Sequence, residues 1–254
     1  VPSEETTAAI VLRASNYGEA DRIVTLLTRD RGKLAGIARG IRKSRGRFER
    51  RLEPFAHVWL SFRWRRHGEL VFITRAEAGN LAAFELGADL RKFALGAYML
   101  ELSEALTREG AQSIGAYELL AQALDTLCRS DCPNALKQVF ELKMLRWAGY
   151  GIDFSRCRGC GCDIGRDDAR VAFAINEGGL LCERCRRGRV WGMVLLERPS
   201  VLQLQRLDAL SLEASGTEPP ATPEASTSLN RFISFVLERN LRSLEFLQRT
   251  IPNI

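Results

Sequence analysis

A chain of 254 residues, 46% hydrophobic and 27% charged, has the composition of a globular protein with material for one large or two small cores. No apolar run approaches the roughly 18 residues of a membrane span, and Val1-Pro2-Ser3-Glu4-Glu5 lacks the basic-then-apolar pattern of a signal peptide, so a cytoplasmic location is expected. The net charge of +6 is unevenly placed: residues 1–78 hold 16 Lys and Arg against 9 Asp and Glu, the rest 21 against 22, which favours a polyanionic partner for the first third, nucleic acid before membrane.

Short strands are expected first. Ala9-Ile10-Val11-Leu12, Arg22–Leu27 and Lys33–Ala38 are separated by turn residues at Asn16-Tyr17-Gly18 and Asp30-Arg31-Gly32. His57–Trp64 and Glu69–Thr74 follow, joined across Arg66-His67-Gly68. Five strands in about 70 residues with no helical period suggest a small closed barrel. In the fourth, Val58, Leu60, Phe62 and Trp64 share one face and His57, Trp59, Ser61 and Arg63 the other.

From about residue 81 the period becomes helical. Leu90, Phe93, Ala94 and Ala97 fit one helix, and Tyr117, Leu120, Ala123, Leu124 and Leu127 a second. Leu136, Val139, Phe140 and Trp147 fit a third, opened by Pro133 and closed by Gly149. A cysteine-rich element, 154–190, precedes a helix near 194–212. Residues 213–227 read as a flexible linker, because Ser215–Pro223 is too rich in Pro, Thr and Ser to pack. A last amphipathic helix is expected over 228–249. The fold class is thus α+β: a barrel domain over 1–80, then a helical domain over 81–254 carrying the cysteine element.

Seven cysteines without a secretory signal, five of them within 29 residues, argue for metal rather than disulfides. Cys157-x-x-Cys160 and Cys182-x-x-Cys185 are separated by 21 residues, close to the usual spacing of a four-cysteine zinc site. Each pair presents two thiolates to one side of a tetrahedral ion, and Gly161 and Gly188 permit tight turns. Val171–Ile175 and Leu180-Leu181, joined by Asn176–Gly179, read as a hairpin that brings the pairs together. Four thiolates fill the shell, so one structural zinc per chain is expected. Cys162 is read as a non-ligand, its alternative being to replace Cys160; Cys128 and Cys132 are read as small core residues.

Between the third and fourth strands, Arg39–Arg51 carries seven cations and one carboxylate. Arg39, Arg42, Lys43, Arg45, Arg47, Arg50 and Arg51 repel one another unless a polyanion is present, and small barrels commonly bind nucleic acid across one face and its flanking loops. Trp59 and Arg63 project from one predicted face and offer a base a stacking platform and a cation; burial under the helices is the alternative for Trp59. Arg184, Arg186, Arg187 and Arg189 either extend a phosphate track or form the ordinary charged surface of a zinc element. No Gly-x-x-x-x-Gly-Lys-Ser/Thr loop and no compact carboxylate constellation occurs, so the chain is expected not to be an enzyme. On charge, barrel and metal alone, an RNA-binding or ribosome-associated zinc protein is an equal alternative to a DNA-binding one.

The motif residues decide between them. Tyr17–Thr28, Gly32-Lys33-Leu34, Ala38–Arg45, Phe48, Leu52–Phe55, Ala97-Tyr98, Glu101-Leu102, Phe140–Lys143, Gly149, Phe173, Gly178-Gly179 and Leu241–Leu244 with Phe246-Leu247 resemble, in order, the bacterial recombination mediator family RecO in its zinc-bearing branch. The match departs at Ile41, where a small residue is common, and in the extra Cys162. The resemblance implies an N-terminal OB-fold and a helical C-terminal region with an inserted zinc module. It further implies binding to single- and double-stranded DNA, annealing of complementary strands, and association with RecR. With that partner, such proteins help displace single-strand-binding protein and load RecA, a role placed at the nucleoid. By matching positions, Arg39, Arg42, Lys43 and Arg45 inherit the DNA-binding expectation.

Overall fold

The computed structural model describes residues 3–41, 48, 52–65, 70–79, 86–110, 113–131, 135–165, 169–189, 191–252 and 254. Five strands, β1 (Glu4–Tyr17), β2 (Asp21–Thr28), β3 (Gly32–Ala38), β4 (His57–Arg63) and β5 (Val71–Ala78), close into a barrel in the order β1-β2-β3-β5-β4. This is the OB-fold arrangement expected from the family resemblance. The strand expected at Ala9–Leu12 extends at both ends, because β1 serves two ladders: Glu4 to Ile10 pair with β4, and Ala9 to Tyr17 with β2. A bulge at Val11–Arg13 supplies the bend. β3 and β5 pair in parallel over Gly36–Ala38 and Val71–Ile73. At Gly36 a Cβ would stand 2.8 Å from Cδ1 of Ile73, so glycine permits the approach of these two strands.

Burial in the fourth strand alternates as the period-two pattern demands. Val58, Leu60 and Phe62 enter the core with Val11, Leu26, Leu34 and Ile73, while Trp59 and Arg63 face out. Trp64, expected on the inner face, falls beyond the strand; it is exposed, edge-on to Phe62, and its Nε1 donates to Glu5.

Among the described residues, the first compact unit, Val1–Cys128, also holds the helices α1 (Leu90–Leu106) and α2 (Ile114–Arg129). The carboxylate of Asp89 caps α1 by accepting the Arg91 N–H at 2.8 Å. The helix expected from Leu90, Phe93, Ala94 and Ala97 is present, and its buried face is set differently from that spacing. Leu90 is 62% exposed and Phe93 39%, whereas Leu95, Tyr98, Met99 and Leu102 are buried with Ala94. Leu90 lies in the first turn, ahead of the part of the helix that packs, and Gly96 lets the ring of Phe55 come close to the backbone. In α2 the expected Leu120, Ala123, Leu124 and Leu127 are buried. The barrel strands end at Ala78, near the expected division at 80, and α1 and α2 group with the barrel.

The second unit, Arg129–Ile254, contains α3 (Leu136–Trp147), β6 (Arg170–Ala174), β7 (Gly179–Leu181), α4 (Glu183–Arg186), β8 (Met193–Glu197), α5 (Arg198–Ala209), α6 (Leu212–Ser215), α7 (Pro223–Leu237) and α8 (Arg242–Thr250). Helix α3 is buried on almost every side and ends at Gly149, whose φ of 88° is left-handed. It hides a charged pair: Lys137 Nζ lies 2.8 Å from Glu141 Oε1, both side chains fully buried, and the same ammonium donates to Asn230 on α7 at 3.0 Å. Gln138 Nε2 donates to Ser226 Oγ at 2.9 Å.

Three expectations for this unit are corrected. The helix expected near 194–212 begins as strand: β8 pairs with β6 from Met193↔Ala174 to Glu197↔Arg170, and Pro199 in the first turn of α5 marks the true helical start. The expected flexible linker, 213–227, is folded. Ser215 is fully buried and Ala221 nearly so, Gln203 brackets the segment through Pro220 O and Thr222 N, and Thr222 caps α7, which Pro223 opens. Its Pro, Thr and Ser residues are helix-start chemistry rather than disorder. The single last helix is two, broken where Glu238 takes a left-handed φ of 54°. The apolar spacing runs on across this break and so conceals it.

Candidate nucleic-acid face and metal centre

The residues that carry the family motif hold the two ends of the basic connection. At the start of β2, Asp21 Oδ1 accepts the Gly40 N–H at 2.9 Å, fixing a turn in which Gly40 has a φ of 65°. Its neighbour Arg22 reaches the other end, donating to Leu52 O at 3.3 Å and Glu53 Oε1 at 2.5 Å. Between them Phe48 is fully buried in the barrel core, as is Leu52. A stretch with seven cations is therefore tied to the barrel by an Asx contact, a charged fork and an apolar plug. This role of Asp21 and Arg22 escapes sequence reading because the contacts span 19 and 31 residues.

Of the candidate DNA-binding residues, Arg39, Trp59 and Arg63 are described and exposed; Arg42, Lys43, Arg45, Arg47, Arg50 and Arg51 lie outside the described residues. Trp59 is 55% exposed, which removes burial under the helices as an account of it. Its cross-strand neighbours are Ala8 and Glu77. Arg63 pairs with Glu4 at 3.5 Å, and Arg75 with Glu77 at 2.8 Å, so charge on this part of the face is largely balanced.

Another aromatic was missed. A bulge leaves Thr74 as the extra residue of β5 and sets Phe72 directly opposite Arg63. The half-buried ring of Phe72 lies under the guanidinium of Arg39, 4.7 Å from its centroid, and that of Arg65 lies 5.8 Å away. The alternation of buried Val71 and Ile73 with Phe72 and Thr74 is the signal that would have placed this ring outside.

The metal centre assembles as the spacing predicts. The Sγ atoms of Cys157, Cys160, Cys182 and Cys185 all lie within 4.8 Å of one another, and those of Cys160 and Cys182 are 3.8 Å apart. A tetrahedral ion with sulfur at about 2.3 Å requires edges of about 3.8 Å, so the donors fit zinc. The β6–β7 hairpin, registered from Ala172↔Leu181 to Ala174↔Gly179, carries Cys182 to the first pair. There the Arg158 N–H donates to Leu180 O at 2.7 Å, and the Cys182 N–H to Cys157 Sγ at 3.3 Å. Gly161 and Gly188 have φ of 73° and 81°, as turns after each pair require. Gly159 adds a close approach the spacing did not announce, since a Cβ there would lie 3.2 Å from Cys185 Sγ.

The donors hold charge unevenly. The Cys162 backbone N–H, the Cys162 thiol and Arg184 stabilise the Cys160 thiolate, lowering its pKa to about 5. Donation to Cys160 holds Cys162 and Cys185 protonated, each pushed up to about 12. A cation is what allows all four sulfurs to be thiolates together. Cys162 stands beside the group, its Sγ 3.4 Å from that of Cys160. Cys128 is half-buried; Cys132 lies outside the described residues. In the second basic cluster Arg186 and Arg187 pair with Glu183, Arg189 pairs with Glu177, and Arg184 attends Cys160. Three of these arginines are thus engaged with carboxylates of the four-cysteine element.

Among the described residues no helix is long and apolar enough to cross a membrane. Residues 3–82 match the family model for the recombination protein O N terminal, and residues 87–245 that for the recombination protein O C terminal. The DNA repair protein RecO of Streptomyces griseus is 35% identical over 251 residues, covering 94% of this chain and 97% of its own. RecO proteins of two Anaeromyxobacter strains, K and Fw109-5, are 36% and 37% identical, each match covering 96% of this chain and 95% of the relative. With an OB-type barrel whose motif residues anchor a basic connection, a four-cysteine centre and both halves matched in order, the chain belongs to the RecO family of DNA repair proteins.

Proposed function

We propose that this chain is a non-enzymatic recombination mediator that binds single- and double-stranded DNA through its barrel unit and anneals complementary strands. Its partners are RecR and single-strand-binding protein, and with them it helps load RecA onto coated single strands at the nucleoid. The observation that carries this reading is the cation-rich connection held at Gly40 and at Leu52-Glu53 by Asp21 and Arg22. Annealing requires no bond chemistry: cations offset phosphate repulsion while unstacked bases remain free to pair. The basic stretch is a sequence-independent phosphate grip. The metal is one zinc per chain, held by Cys157, Cys160, Cys182 and Cys185; four thiolates leave no open position, so its role is structural.

Changing Arg42, Lys43 and Arg45 together to Ala is expected to weaken DNA binding across sequences. The slope of log affinity against log salt should flatten by about 0.7 per lost contact on single strands. Titrations at several salt concentrations measure this directly. A slope equal to that of the unaltered chain would remove the connection from the DNA-binding surface.

A further inference from the structure

We infer that Phe72 is the ring on which an unpaired base of single-stranded DNA stacks, with Arg39 and Arg65 as its flanking cations. The inference rests on the DNA-binding reading above and adds what separates single strands from duplex. Two guanidiniums lie against this ring and Arg63 stands opposite it on β4. Among the described residues neither Arg39 nor Arg65 forms an ion pair with a carboxylate. A planar cation resting on an aromatic face marks a surface open to another planar group. A base gains more from stacking there than an exposed guanidinium does. The displaced guanidinium then has the phosphate of the same nucleotide within reach, so no cation is lost from the contact.

Trp59, the larger and more exposed ring, is the poorer platform. Glu77 stands directly beside it across the ladder, and the cation there, Arg75, is already paired with that carboxylate. A nucleotide on Trp59 would bring its phosphate toward Glu77, whereas one on Phe72 meets the guanidiniums of Arg39 and Arg65 first. Arginines grip the phosphates of both strand forms, but the bases of a duplex are already stacked on one another. Phe72 therefore acts on single strands alone, and holding one base leaves its neighbours free to pair.

The test uses the full chain with Phe72→Ala and Phe72→Leu, the latter keeping apolar bulk without a ring. Three probes of equal length are oligothymidylate, an abasic oligonucleotide and a duplex. Both variants are expected to lose about tenfold in affinity for oligothymidylate, a loss typical of one base–aromatic stack. Their binding to the abasic strand and the duplex should stay within about twofold of the unaltered chain. Leucine-variant binding to oligothymidylate at full strength, or an equal loss on the abasic strand, overturns the inference: the ring would then only hold Arg39. If the unaltered chain binds none of the three probes, the DNA-binding reading itself falls.

Discussion

Serine in place of Cys182 is expected to reduce the metal content from one zinc per chain to essentially none and to unfold the hairpin it closes. Cys182 contributes twice, through its own sulfur and through the backbone N–H it donates to Cys157 Sγ. Structural zinc sites supply folding free energy on the order of 10 kcal/mol, comparable to the entire stability of an ordinary domain. The loss should therefore appear as early melting of the second unit, read by metal analysis alongside denaturation with and without a chelator. Cys162→Ser, outside the group of four, should keep its zinc and its melting temperature. A Cys182 variant that folds with native stability and no metal would remove zinc from the fold.

The second large effect is expected at the buried ion pair of α3. Lys137→Met leaves the fully buried Glu141 without its ammonium partner at 2.8 Å. Breaking one half of a buried pair costs about 3–5 kcal/mol, because a carboxylate is then stranded away from water. For a unit of this size that lowers the melting temperature by roughly 10 °C or more. Lys137→Met with Glu141→Leu removes both charges and should recover most of the loss, since apolar replacement of a whole buried pair is often neutral or stabilising. Denaturant unfolding of the single and double variants gives the coupling directly. Additive losses would show that the ammonium and carboxylate do not depend on one another.

What the sequence made legible was chemistry encoded locally. The cysteine pairs declare themselves by spacing, and the barrel by a period of two broken at Gly18 and Gly32, both of which take left-handed φ. The misread elements were those whose state depends on distant partners. Val194-Leu195-Leu196 is apolar in a way that suits helix and strand alike, and only pairing with β6 decides it. Ser215–Pro223 has the composition of a linker, yet it packs because Gln203 supplies side-chain partners from another helix. Within the candidate DNA-binding face, Arg39 could be chosen from its place in a charge run. Alternation places Phe72 outside but does not single it out, because its value comes from Arg39 and Arg65, which reach it from the end of β3 and from just beyond β4.

The parallel pairing of β3 with β5 has a consequence for how the barrel opens. At three residue pairs it is the shortest of the five ladders, and parallel pairing is slightly the weaker kind. It is the seam along which the barrel is closed, and amides there are expected to exchange with solvent before those of β1 and β2. Arg39 stands just past the β3 side of that seam and Phe72 lies on the β5 side, so their 4.7 Å contact is a clasp across it. A strand of DNA bound to both residues would fasten the seam, and occupancy would be registered as slower opening of the entire barrel.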